Sequence, residues 1–331
     1  MPFVSILIPI RNEETNIGKC LQAALAQDYP LGQVEILIAD GMSTDGTREE
    51  IERIQNQNPQ IQLFDNPGKI VPTGMNILIP KACGEILIRV DGHTLIAPDY
   101  VRECINAWNR SGAENVGGRM TAVGTNNFGQ TVAIATSSPF GIGGSRFHYS
   151  DKEEWVDTVY MGAWPKEVFN KIGLFDEELV RDQDDEFNYR LRAAGGKILL
   201  SPKIKSVYTV RSNPRALWKQ YFQYGYWKVR VLQKHPRQMS LRQFIPPLFV
   251  LGLIAALIMA FTMKWGWLVL VGYTGLYLVA NLAASFFMAY QKGWKYFWLL
   301  PVAFTTIHVS YGSGFLVGLM KFWHRWGDKG G

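Results

Sequence analysis

An acid and an imidazole stand two residues apart in "IRVDGHTLI" (Ile88–Ile96), where an apolar run ends at Asp91 and His93 follows. On an extended segment, side chains two apart share a face. A carboxylate and an imidazole so placed can ligate a divalent cation, although a lone His is more often structural than ligating. A second group is "RDQDDEF", which brings Asp182, Asp184, Asp185 and Glu186 together ahead of the helical "FNYRLRAAGGK". Acids suit a helix N-terminus, where the dipole favours them. Crowded like charges also raise pKa values, which suits a general base. A third acid, Asp40, closes the apolar "EILIA". It reads either as a turn residue of "DGMSTDGT" or as a ligand residue at a strand end.

The elements that must position these groups alternate in type. "FVSILIPI" (Phe3–Ile10) is a near-continuous apolar run, as in a buried parallel strand. Ile17, Leu21, Ala24 and Leu25 then recur at helical spacing. "VEILIAD" (Val34–Asp40) predicts a second strand, and Thr47 is placed to cap the helix "REEIERI". "IQLFD" and "EILIRVD" (Glu85–Asp91) predict two more strands. Such alternation implies a parallel sheet covered by helices, with ligands beyond the carboxyl ends of the strands. Asn12, Glu13, Asp40 and Asp91 fall at those ends. The stretch from Val116 to about Pro202 is less regular. No Gly-x-Gly-x-x-Gly follows the first strand and no Walker A loop occurs, which argues against dinucleotide redox or P-loop chemistry.

Charge is divided along the chain. Residues 1–186 hold 27 of the 28 Asp and Glu, whereas Phe187–Gly327 holds 18 Lys and Arg and no acid. Ten basic residues lie between Lys203 and Arg242, directly before a hydrophobic region. That position suits a cytoplasmic segment meeting anionic lipid, and argues against nucleic acid as the partner. Gln243–Met263, Trp265–Gln291 and Tyr296–Met320 are uncharged, and each reaches the roughly 20 residues that cross a bilayer core. Trp265, Trp267, Trp294, Trp298, Trp323 and Trp326 cluster at their ends, as interfacial aromatics do. The third stretch carries Pro301, His308 and "YGSGFLVG", and spanning would put the basic tail outside; a re-entrant or tilted helix is the alternative there. Cys20, Cys83 and Cys104 have no paired or metal-like spacing and read as reduced thiols of a cytosol-facing protein. No signal peptide precedes the first strand.

"VSILIPIRNEE", "IADGMSTDGT", "ILIRVDGHT" and "GLFDEELVRDQDDEFNYRLRAAGGKI" occur in the order and near the spacing of family 2 glycosyltransferases. The chain resembles the bacterial subgroup typified by succinoglycan biosynthesis glycosyltransferases, over about Phe3 to Lys234. The resemblance implies the nucleotide-sugar-binding α/β fold called GT-A, a Rossmann-like mixed sheet, here followed by C-terminal transmembrane helices. It further implies that Pro9, Arg11 and Glu13 lie in the loop at the nucleotide base, that Asp40 hydrogen-bonds uracil, and that Lys69 faces the nucleotide. Asp91 matches the first acid of the Asp-x-Asp motif and His93 replaces the second. Asp184 matches the catalytic acid, with Asp185 as a second candidate and Gln183 in place of the family's Glu. "KQYFQYGYWK" (Lys219–Lys228) stands where processive relatives carry Gln-x-x-Arg-Trp. Gln220, Tyr224 and Trp227 are its candidates on the acceptor or diphosphate side, and the poor match argues against processive polymer synthesis.

The expected organisation is a GT-A domain over 1–210, basic aromatic interfacial helices over 211–242, a transmembrane region of about three helices over 243–321, and a basic tail over 322–331. The expected chemistry is inverting transfer of a hexose from a UDP-sugar to a lipid-linked saccharide in exopolysaccharide synthesis. Asp184 would serve as base, and Mn²⁺ or Mg²⁺ on Asp91 and His93 would neutralise the diphosphate. The catalytic domain would face the cytoplasm from a multi-pass protein of the inner membrane, alongside other polysaccharide-assembly proteins. A polyprenyl-phosphate glycosyltransferase and a non-catalytic nucleotide-sugar-binding membrane component are the alternatives.

Overall fold

A computed structural model describes residues 1–327; residues 328–331 of the basic tail lie outside the described residues. The chain divides into two compact units, one formed by Met1–Thr121 with Arg146–Thr209 and the other by Ala122–Ser145 with Val210 onward.

The first unit carries β1 (Val4–Ile10), α1 (Ile17–Leu25), β2 (Val34–Asp40), α2 (Thr47–Gln55), β3 (Ile61–Asp65), α3 (Val71–Lys81), β4 (Ile86–Arg89), β5 (Thr94–Ile96), α4 (Tyr100–Ser111) and β6 (Asn115–Val123). Helices α5 (Asn127–Thr136) and α6 (Pro139–Ile142) come next in the chain and belong to the second unit. The first unit resumes with β7 (Glu154–Trp155), β8 (Tyr160–Pro165), α7 (Glu167–Ile172), α8 (Gln183–Ala193) and β9 (Ile198–Thr209). The strands form one sheet in the order β3-β2-β1-β4-β8-β6-β9-β5, with β7 paired to β9. β3, β2, β1 and β4 run parallel, while β8 joins β4 antiparallel.

The apolar runs fill both faces of this sheet. Ile6, Ile8, Ile36 and Ile38 enter one core, while Leu7, Leu37 and Ala39 enter the other with Met75, Leu78 and Phe187. Alternate residues of one strand thus serve opposite layers, so the strands read as continuous hydrophobic runs.

Two local expectations change. Strand β4 ends at Arg89, and a turn closed by a 2.9 Å bond from the Thr94 N–H to the Asp91 carbonyl carries the chain into β5. Asp91 and His93 therefore sit in a turn and not on one extended face. Gly92 permits it: a Cβ there would lie 2.5 Å from Ile10 Cγ2. Thr47, predicted as the cap of α2, instead occupies its first turn and accepts from the Glu13 N–H at 2.8 Å.

The second unit holds α5, α6 and four long helices: α9 (Pro214–Lys234), α10 (Ile245–Thr262), α11 (Gly266–Lys292) and α12 (Leu300–Lys321). Among the described residues three helices are long and apolar enough to cross a membrane, over Leu241–Thr262, Gly266–Lys292 and Leu300–Lys321. On the first two, Leu248, Phe261, Leu276 and Val279 are exposed, as lipid-facing side chains are.

Candidate active site

The loops beyond the parallel strands bear the candidate groups. After β1, Glu13 organises its loop. Its carbonyl accepts from Asn16 and Ile17, opening α1, and its carboxylate accepts from Asn16 Nδ2 at 2.8 Å. The other carboxylate oxygen, Oε1, lies 3.0 Å from His93 Nδ1. A neutral His93 donating from Nδ1 keeps its lone pair on Nε2, so the carboxylate sets the tautomer of the imidazole. The His93 ring also meets Tyr208 edge-on, with centroids 5.4 Å apart.

Asp91 does not face an empty cleft. Arg89 Nε donates to Asp91 Oδ1 at 2.8 Å, and the two side chains are 7% and 15% exposed. Burial alone would raise the Asp91 pKa, but the Arg89 charge, His93 and a hydrogen bond from Tyr160 outweigh it and hold the carboxyl below its usual range. For Arg89 burial works downward, and the Asp91 and Asp184 carboxylates more than offset it, so the guanidinium stays charged. Arg89 thus stands in the field of both candidate acids. Tyr160 shares a 2.7 Å hydrogen bond with Thr94, and burial together with Asp91 raises its pKa well above the usual value, so it stays a phenol.

Asp184 lies in the first turn of α8, where its Oδ1 accepts from the Asp185 N–H at 3.0 Å. The acid cluster divides by role. Glu186 is buried against Arg190 at 2.7 Å and serves the helix, whereas Asp184 and Asp185 are only partly buried. Gln183 is buried, and its Oε1 makes no hydrogen bond among the described residues.

Asp40 is fully buried at the end of β2, where it accepts from the Ser43 N–H and hydroxyl and from Arg48 Nη1 at 2.9 Å. Arg48 reaches Asp65 at 2.7 Å from the same nitrogen, clamping the ends of β2 and β3. Pro9 is buried in β1 opposite Ala39, while Arg11 and Lys69 are exposed in the loops after β1 and β3. Glu13, Asp91 and His93 are therefore brought together, Asp184 joins them through the field at Arg89, and Asp40 belongs to a separate clamp. In the second unit, Gln220 Nε2 donates to the Tyr224 hydroxyl at 2.9 Å, and Trp227 packs on Phe322.

Backbone strain marks the same loops. Asn12, Met42, Lys69, Met161 and Asp182 are the non-glycine residues with positive φ among those described. Each is a candidate residue, or lies within two residues of a candidate or of Tyr160. Left-handed conformations at such residues cost free energy and persist where the surroundings demand a particular loop shape. Arg89, Arg48 and Tyr160 were missed in the sequence. Arg89 carried one signal, a charge two residues before the end of the predicted strand Glu85–Asp91 in an otherwise apolar run; Arg48 and Tyr160 carried none.

A family profile described as Glycosyl transferase family 2 matches residues 5–173. The chain belongs to glycosyltransferase family 2. Among curated relatives of this family 2 enzyme, the succinoglycan biosynthesis protein ExoA of Rhizobium meliloti (strain 1021) is 30% identical over 322 residues, covering 97% of this chain and 96% of that protein. The dolichyl N-acetyl-alpha-D-glucosaminyl phosphate 3-beta-D-2,3-diacetamido-2,3-dideoxy-beta-D-glucuronosyltransferase of Methanococcus voltae is 29% identical over 329 residues, covering 97% and 98%. The mannosyltransferase PcManGT from Pyrobaculum calidifontis, solved with GDP-Man and Mn2+, shares the fold at a TM-score of 0.63 and 18% identity, covering 97% of this chain and 88% of that one. The sheet and its flanking helices are those of the GT-A class, and the chain is a glycosyltransferase.

Among the described residues no three His, Cys, Asp or Glu side chains converge as a metal cage. The donor chemistry nonetheless fits a divalent cation: an ionised carboxylate at Asp91, and an imidazole whose tautomer is set by a carboxylate behind it.

Proposed function

We propose that this glycosyltransferase is membrane-anchored and inverting, moving a hexose from a UDP-sugar to a lipid-linked saccharide during exopolysaccharide assembly. Near full-length similarity to a succinoglycan biosynthesis protein carries the reading. The similarly full-length archaeal relative, whose name states a dolichyl-phosphate-linked sugar acceptor, supports the lipid-linked acceptor. On this reading Pro9, Arg11, Glu13, Asp40 and Lys69 line the nucleotide side. Gln220, Tyr224 and Trp227 serve the acceptor or diphosphate side.

Asp184 takes the proton from the acceptor hydroxyl as that oxygen attacks the anomeric carbon and the nucleotide diphosphate leaves. One displacement inverts the configuration. Asp91 and His93 would hold Mn²⁺ or Mg²⁺, which would supply charge neutralisation at the diphosphate leaving group. Arg89 keeps Asp91 ionised for that purpose, and Glu13 orients His93. Residues 211–242 lie on the headgroups of the inner membrane, and the catalytic unit faces the cytoplasm.

The test is Asp184→Asn, which keeps the shape and removes the base. A positioned base contributes about 10²–10⁴-fold, so UDP release on adding acceptor should fall by that factor while donor binding is retained. Unchanged transfer would refute Asp184 as base and favour a phosphate acceptor, which needs no deprotonation. Donor binding without UDP release in the unaltered protein would favour a non-catalytic binding role.

A further inference from the structure

The second unit gives α12 a course unlike that of α10 and α11. Helices α10 and α11 pair as a hairpin. Phe249 stacks on Tyr277 with centroids 4.3 Å apart, and the Tyr273 hydroxyl donates to the Phe249 carbonyl at 3.1 Å. These contacts set Tyr277 level with the first turns of α10, and Asn281 one turn nearer its beginning.

The side-chain contacts of α12 with the hairpin cluster at that level. The Pro301 carbonyl accepts from Asn281 Nδ2 at 3.2 Å, and Thr305 accepts from it at 3.0 Å. His308 Nδ1 lies 3.0 Å from the Tyr277 hydroxyl. Gly312 is packed so that a Cβ would lie 2.4 Å from the Pro246 carbonyl and 2.6 Å from Val250. Phe315 meets Phe244 with centroids 5.9 Å apart. From Pro301 to Phe315 a helix advances about 21 Å at about 1.5 Å per residue. Running beside α10, it would meet partners out to about residue 260. The partners named here lie at residues 244–250 and 277–281, which places α12 across that end of the hairpin.

Its neighbours support the same placement. Along its C-terminal half it lies against α9, at separations that only glycine allows. A Cβ at Gly225 or Gly314 would lie 2.0 Å from the Tyr311 or Phe222 carbonyl, respectively. The α9 helix exposes Arg215 and Lys219, and side chains of that kind are costly to draw through hydrocarbon. The N-terminal half is covered by α6, where Phe140 packs on Phe304 and the Phe140 carbonyl lies 2.7 Å from His308 Nε2. The Ala122–Ser145 segment that contains α6 has no charged residue. Within its most apolar window α12 is 44% buried in the protein, against 17% and 11% for the other two. It is more covered by protein than either of the other two.

We propose that the chain crosses the bilayer twice, through α10 and α11. On this assignment α12 lies with α9 in the plane of the leaflet where α10 begins. Exposed Trp298 and Trp323 anchor its two ends at the interface. The tail then lies on the same side as the basic segment Lys203–Arg242. Lys292, Lys295, Lys321 and Arg325 join that side and Lys264 stands alone on the other, whereas three crossings would move Lys321 and Arg325 across.

The inference rests on the membrane-anchored reading above, and the test separates the two. Lys264→Cys, Lys292→Cys and Trp323→Cys are each introduced into the full chain in a Cys83→Ser background, because Cys83 is the exposed native thiol. Intact cells and inside-out vesicles are treated with a membrane-impermeant maleimide. Two crossings predict that positions 292 and 323 label from one side and position 264 from the other. Labelling of 323 from the side opposite 292 overturns the inference and leaves the anchor intact. Extraction of the unaltered protein by carbonate, with no sidedness at any position, overturns the anchor itself and this inference with it.

Discussion

Replacing Arg89 by Met removes the cation from a pair that is almost entirely buried, with side chains 7% and 15% exposed. Met approximates the aliphatic length of Arg, so the loss is mainly of charge and of the 2.8 Å hydrogen bond to Asp91. Removing one partner of a buried ion pair costs about 3–5 kcal/mol, because the other charge stays desolvated and unpaired. In a unit of this size about 1 kcal/mol moves the melting temperature by roughly 2–4 °C, so Arg89→Met should melt roughly 6–20 °C lower. The assay is thermal unfolding of purified full-length protein, run on Arg89→Met, Asp91→Asn and the double variant. If the pair is coupled as its geometry implies, the double variant loses less than the sum of the singles, by about 0.5–3 kcal/mol. The pH dependence has a definite sign. In the native protein the Asp91 pKa lies below its unfolded value of about 3.9. Its contribution is therefore present above about pH 4 and is lost as the pH falls through the lower folded value. In Arg89→Met the largest remaining influence is burial, which raises the pKa, so the variant loses stability as the pH rises. The gap between the two proteins should widen from pH 4 to pH 7. A loss under about 1 kcal/mol, or strict additivity in the double variant, would refute the account of Asp91 as a carboxylate held by Arg89.

Two further outcomes follow from the geometry. Asp40→Ala removes the acceptor of Ser43 and Arg48, and should cost about 2–3 kcal/mol. Calorimetry should show weaker uridine nucleotide binding, and unchanged affinity would remove Asp40 from the nucleotide side. Gly225→Ala should destabilise the second unit although Ala is the better helix former by about 1 kcal/mol, because its methyl would lie 2.0 Å from the Tyr311 carbonyl. A thermal shift in detergent that rises instead would overturn the close α9–α12 packing.

Much of the parallel half of the fold was legible in the sequence, since "VSILIPI" and "VEILIAD" are strands buried on both faces and turn chemistry punctuates them. The antiparallel half was not. Strands β6 to β9 pair across long separations, and β8 reaches the centre of the sheet beside β4, a placement that no local pattern encodes. Nor does composition signal that Ala122–Ser145 leaves the sheet unit for the helical one.

The sequence by itself determined which acids end which strands, that a family 2 motif set is present in order, and that acids give way to bases after Glu186, ahead of the apolar helices. These properties reside in residue type and short spacing, which the chain carries before it folds. Only the tertiary structure decided what each acid touches. Asp91 and His93 looked like one bidentate motif, but a turn at Gly92 gives Asp91 to Arg89 and His93 to Glu13. Asp40, readable either as a turn residue or as a ligand at a strand end, accepts from Ser43 and Arg48. The partners can come from distant parts of the chain: Glu13 lies 80 residues from His93, and in the helical unit Pro301 lies 20 from Asn281. Electrostatics and packing act through space, so the field at a carboxylate and the course of a helix both waited on the fold.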